Sequence, residues 1–259
     1  MSLPSYLPQQ SNIKAYYALE DVNDGSGNGY NLTNGGSVTF TPAKYANGAN
    51  LGAGNTTKSL YAATNLGITV NNPFTIMFWF KLFTEPALNA YQALFHFRIG
   101  TAAASKEIVL YYRDDAGTKK LSLNIYTNAW HYATYNITLG TTDWYQIGAM
   151  YNGSNQIVLL VNTETTTNGT IAAGSETIAQ NFHIGKNNAG TYFTSGLYDE
   201  FTVWNMGLGT ADISQFYRGP RRGGFGFGNP WTFFKDAWEK HDKLWKPKLI
   251  LPKDLGFSY

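Results

Sequence analysis

The chain has no cysteine, so acid–base or nucleophilic chemistry would fall to its hydroxyl side chains, four histidines and seventeen carboxylates. Disulfides, iron–sulfur clusters and thiolate metal sites are excluded. His96, His131, His183 and His241 are scattered, and none has a nucleophilic partner close in sequence. In Glu20-Asp21 and Asp199-Glu200 the carboxylates are adjacent, so on a strand their side chains would point to opposite faces. Glycoside hydrolysis needs two carboxyl groups flanking one bond. The expectation is a protein that is not an enzyme. Sugar binding asks for less: an accessible aromatic plane with polar groups beside it. Trp130, His131 and Tyr132 are the candidate platform. The competing expectation for Trp130 is a place in the core, because a strand tryptophan is usually buried.

The elements that must position these groups read as strands. Leu121, Leu123 and Ile125 alternate with polar neighbours, and residues 130–135 alternate in the same way. Residues 74–80, FTIMFWF, are apolar at almost every position, as expected of a central strand covered on both faces, and residues 157–161 form a shorter run of that kind. Turn residues tolerant of positive φ separate the runs: residues 24–29, 34–36, 114–117 and 152–155. An aromatic share of 16% with 27 glycines suits many short strands joined by tight turns. One short helix is expected near the end of this region, capped by Thr210, with Ile213, Phe216 and Tyr217 on its apolar face.

Four segments in order resemble the concanavalin A-like lectin/glucanase superfamily, in its laminin-G-like form. They are YYALEDVNDGSGNGYNLT (16–33), KYANGANL with FTIMFWFKL (44–51 and 74–82), DWYQIGAMYNGSNQIVLLVN (143–162), and residues 182–217. The resemblance implies an all-β, two-sheet antiparallel jelly-roll sandwich whose first and last strands are adjacent. Glycosidases of this superfamily carry a Glu-x-Asp-x-x-Glu or Glu-x-Asp-x-Glu strand, and this sequence has neither. The resemblance also implies a structural Ca²⁺ where the terminal strands meet. Asp199 is the matching carboxylate, Asp24 a second, and backbone carbonyls near Glu20 and Gly48 would complete the shell. The competing expectations are an Asx-turn for Asp24 and a surface ion pair for Asp199.

The net charge of +2 conceals a split: residues 1–217 carry ten Lys/Arg against thirteen Asp/Glu, and residues 218–259 carry nine against four. The expected organisation is an N-terminal arm over 1–11, a sandwich over 12–219 and a basic aromatic tail over 220–259. In the tail, Arg221, Arg222, Phe225 and Phe227 belong to a glycine-rich linker. Trp231, Phe234, Trp238 and Trp245 then follow at helical spacing as one aromatic stripe. That is more apolar area than a solvated helix exposes. The tail is expected to dock on a neighbouring subunit, with docking on its own sandwich as the rival. The basic patch is too small for nucleic acid, and the stripe is too narrow for a membrane surface. The N-terminus has neither a charged n-region nor an apolar h-region, so no signal peptide is expected. Together these features predict a structural and adhesive subunit of a larger assembly, a bacteriophage or virus particle, made in the cytoplasm and able to meet cell-surface glycans. A free-standing lectin module is the alternative, and a glycoside hydrolase is third.

Overall fold

A computed structural model describes residues 3–63, 66–69, 72–99, 106–126, 129–170 and 179–219. Contacts divide the chain between Arg221 and Arg222. The tail residues singled out above, from Arg221 to Trp245, lie outside the described residues.

Among the described residues, fifteen strands form two antiparallel sheets. In chain order they are β1 (Ile13–Tyr17), β2 (Thr33–Gly35), β3 (Thr39–Pro42), β4 (Asn47–Gly52), β5 (Ser59–Ala62), β6 (Phe74–Leu82), β7 (Tyr91–Ile99), β8 (Lys106–Asp115), β9 (Thr118–Tyr126), β10 (Trp130–Asn136), β11 (Tyr145–Tyr151), β12 (Gln156–Val161), β13 (Glu164–Thr170), β14 (Ala179–Ile184) and β15 (Gly196–Trp204). The first sheet runs β13-β12-β11-β6-β15-β4-β3, with β1 also pairing with β15. The second runs β10-β9-β8-β7-β14-β5-β2. The jelly-roll sandwich and its adjacent terminal strands are both observed, with Tyr17 opposite Phe201.

Alternation builds the core. Ile76, Phe78 and Phe80 of β6 point inward, as do Leu121, Leu123 and Ile125 of β9, and all join the inter-sheet cluster. Met77 and Trp79 of β6 point the other way, into a second cluster with Leu7, Leu160, Trp204, Leu208, Ile213 and Phe216. That cluster exists because the outer face of the first sheet is covered by residues 3–12 and by helix α1 (Thr210–Arg218). The Trp204 indole donates to the Pro8 carbonyl at 2.9 Å, tying the N-terminal segment down. The expected arm is therefore packed against the sheet over Leu7 and Pro8. The N-cap of α1 is Gly209, and Thr210 is the first helical residue. Gly209 N–H is instead satisfied by the Asp212 carboxylate at 3.2 Å.

Local turns fix the register. The β8–β9 hairpin closes with Ala116 and Gly117, both at positive φ, as a two-residue type I′ turn demands. Gly48 is required because a Cβ there would lie 2.3 Å from the Tyr198 carbonyl oxygen, where β4 crosses β15.

Candidate functional site

The outer face of the second sheet carries an open groove. Arg98 of β7, Glu107 of β8, Tyr126 of β9 and Trp130 of β10 are successive cross-strand partners and form a row across four strands. With neighbouring strands about 4.8 Å apart, the row spans about 14 Å. His96 and Tyr111 lie beside it, and the loop from Asn187 to Tyr192 forms the opposite wall, enclosing ≈ 600 Å³. Asn187 holds that loop: its Oδ1 accepts the N–H groups of Thr191 at 2.9 Å and Tyr192 at 3.0 Å. The Asn188 N–H donates to His96 Nδ1 at 2.6 Å. His96 therefore carries its hydrogen on Nε2, which meets the Glu107 carboxylate at 2.9 Å.

Aromatic rings line both ends. Trp130 is 42% exposed and Tyr132 48%, their rings stacked at 6.1 Å, and Tyr126 sits 5.0 Å from Trp130. At the other end Tyr91, Tyr111 and Tyr192 contact one another at 5.3–5.8 Å between ring centroids. Burial, and then the charge of Glu107, raises the Tyr111 phenol well above its ordinary value, so it remains a hydrogen-bond donor.

Three sequence expectations change here. Trp130 is not a core residue, because it lies on the outward face of β10, where no second layer covers it among the described residues. Trp130 and Tyr132 share that face, but His131 alternates to the inner side with Ala133 and Tyr135, so the three do not form one platform. Asp199 and Glu200 do not diverge to opposite faces. A bulge interrupts β15 between Asp199 and Thr202, with Glu200 at φ +56°, and both side chains lie buried between β4 and β1.

The expected calcium ligands serve other bonds. Both oxygens of Asp24 are engaged, Oδ1 by the N–H groups of Tyr16 and Ser26, and Oδ2 by Ser26 Oγ and Tyr30 N–H. The bond to Ser26 N–H is an Asx-turn. Asp199 is buried at 1% exposure and accepts the Tyr45 N–H at 2.9 Å, so it is no surface ion pair. Glu20 is exposed, and Gly48 answers to the close crossing of Tyr198. No group of three or more His, Asp or Glu side chains converges among the described residues.

Glu200 accepts the phenols of Tyr6 and of Tyr16, the latter at 2.8 Å. Burial pushes its carboxyl up to about 7 against those hydrogen bonds. Asp199 is likewise pushed up to about 7, first by burial and then by the charge of Glu200. In the second sheet, burial and then Lys186 push His183 down to about 4.

The chain belongs to the concanavalin A-like lectin/glucanases superfamily, whose laminin-G family model matches residues 51–214. Its fold is similar to domain 4 of AbnA, a GH43 extracellular arabinanase from Geobacillus stearothermophilus, solved with arabinotriose. That match has a TM-score of 0.62 and 18% identity, and covers 80% of this chain and 98% of that one. It is also similar to the receptor-binding domain of botulinum neurotoxin C/D mosaic serotype, with a TM-score of 0.63, 13% identity, and 81% of this chain aligned to 52% of that one. A third similar structure concerns botulinum neurotoxin type C, whose cell entry depends on two ganglioside molecules. There the TM-score is 0.61, identity 10%, and coverage 81% and 51%. This chain spans about half the length of those toxin domains. No curated protein matches the sequence.

Proposed function

We propose that this protein is a non-catalytic, carbohydrate-binding adhesive subunit, and that the groove over β7–β10 is where a glycan binds. The observation that carries the reading is the exposed Trp130 ring, with Tyr126 and Tyr132 against it, at the edge of a groove lined by polar side chains. Stacking of an apolar sugar face on such rings, with hydroxyls met by fixed polar groups, is the chemistry lectin sites use. Glu107 is the one carboxylate among the described residues lining the groove, and a two-carboxylate hydrolysis needs a second. Arabinotriose in the AbnA domain and gangliosides in the neurotoxin case show that proteins of this fold meet glycans, and they support the same role here. A glycan array probed with the full chain and with Trp130→Ala tests it. Binding lost in the variant is expected, whereas equal signals, or none from either protein, would refute it.

A finer reading places the subunit on a bacteriophage or virus particle. The sandwich is then displayed outward, residues 220–259 attach to a neighbouring subunit, and synthesis is cytoplasmic. Its support is the charge split at residue 218 and the stripe of Trp231, Phe234, Trp238 and Trp245. Light scattering should show assembly by the full chain and a monomer when Trp231, Trp238 and Trp245 become Ser. A parental monomer would favour a free-standing lectin. Release of reducing ends from a glycan by the full chain would revive the hydrolase.

A further inference from the structure

Resting on the glycan-binding reading, we infer that the groove takes a neutral oligosaccharide of at least two rings, laid across the strands. One ring sits on the aromatic step of Trp130 and Tyr126, and the next lies over Glu107 and Arg98. The direction follows from register. Trp130, Tyr126, Glu107 and Arg98 are consecutive partners across β10, β9, β8 and β7, so aromatic and polar subsites are set side by side perpendicular to the strands. The row of about 14 Å is longer than one sugar ring.

Charge selects the ligand class. Among the described residues the groove brings one guanidinium and one carboxylate, from Arg98 and Glu107, directly opposite each other on adjacent strands. Among the described residues the charges of this wall balance, and an acidic group seated on Arg98 would also lie beside Glu107. A sugar hydroxyl, both donor and acceptor, suits a carboxylate and a guanidinium alike. Glu107 is also held in place. The backbone N–H of Asn188 fixes His96 Nδ1, and His96 Nε2–H fixes a Glu107 oxygen. His96 is thus a positioning residue, buried at 3% exposure beneath a carboxylate that is 26% exposed.

The test is calorimetric titration of the full chain, Trp130→Ala and Glu107→Gln. The probes are neutral oligosaccharides, the corresponding monosaccharides, and sialylated and sulfated oligosaccharides. Neutral oligosaccharides should bind at least about tenfold tighter than their monosaccharides, and Glu107→Gln should remove about tenfold by taking away one charge-assisted hydrogen bond. Melting curves will show whether Glu107→Gln is folded. If it is not, the ratio of oligosaccharide to monosaccharide affinity in the parent decides. Tightest binding of sialylated or sulfated glycans, lost in Trp130→Ala, would overturn this inference and leave the glycan-binding reading standing. Monosaccharides bound as tightly as oligosaccharides would do the same. No binding by any probe would overturn both.

Discussion

The two sheets share a core and follow the same alternation, yet their outer faces have opposite fates. On the first, Trp204 is buried under residues 3–12 and α1, its indole hydrogen satisfied by Pro8. On the second, Trp130 stands in solvent beside a groove. A tryptophan whose N–H is satisfied and whose ring is covered is explained by stability. One left exposed among tyrosines, over a built loop, is explained by binding. The covered face also stores buried carboxyl groups, whereas the open face turns its carboxylate toward the groove.

The comparison can be broken by mutation. Trp204→Ala should cost about 3–5 kcal/mol in urea unfolding, as deletion of a buried aromatic does. A loss near zero would mean the covering layer is loose. Tyr16→Phe should cost about 1–3 kcal/mol, because the buried Glu200 carboxylate loses a donor. Trp130→Ala should change stability by less than about 0.5 kcal/mol while abolishing glycan binding. A large destabilisation would place Trp130 in the structural class instead.

The pH dependence sharpens the same contrast. Asp199 and Glu200 have carboxyl groups raised in the folded state, so they bind protons more readily there than in the unfolded chain. Their contribution is full below the ordinary carboxylate range and is lost as pH rises through about 7. His183, depressed to about 4 from 6.5, works the other way: its contribution is present above 6.5 and lost as pH falls toward 4. Stability should therefore fall between pH 6.5 and 8, where the two raised carboxyl groups outweigh the smaller, opposite change at His183. Glu200→Gln should flatten that fall, and His183→Asn should leave it intact. Unfolding midpoints across that range check both.

Much of the frame was legible because it rests on local pattern. The double-sided burial of β6, the inward face of β9 and the helix after β15 all follow from residue spacing. The site was less legible because it depends on register between strands far apart in sequence. Nothing near Arg98 announces that Glu107, Tyr126 and Trp130 will line up with it, nor that Asn188 will reach His96 across ninety-two positions. Alternation alone separates His131 from Trp130, a signal present in the sequence and overridden by proximity. The Asp199–Glu200 bulge was hidden, since positive φ at a glutamate has no sequence mark.

The most direct test of the open-face account is an amide chemical-shift titration of the labelled full chain with its tightest-binding neutral oligosaccharide. The account predicts changes confined to His96–Arg98, Glu107–Tyr111, Asn124–Tyr126, Trp130–Tyr132 and Asn187–Tyr192. Changes centred on residues 3–12 or α1, with the groove silent, would contradict it.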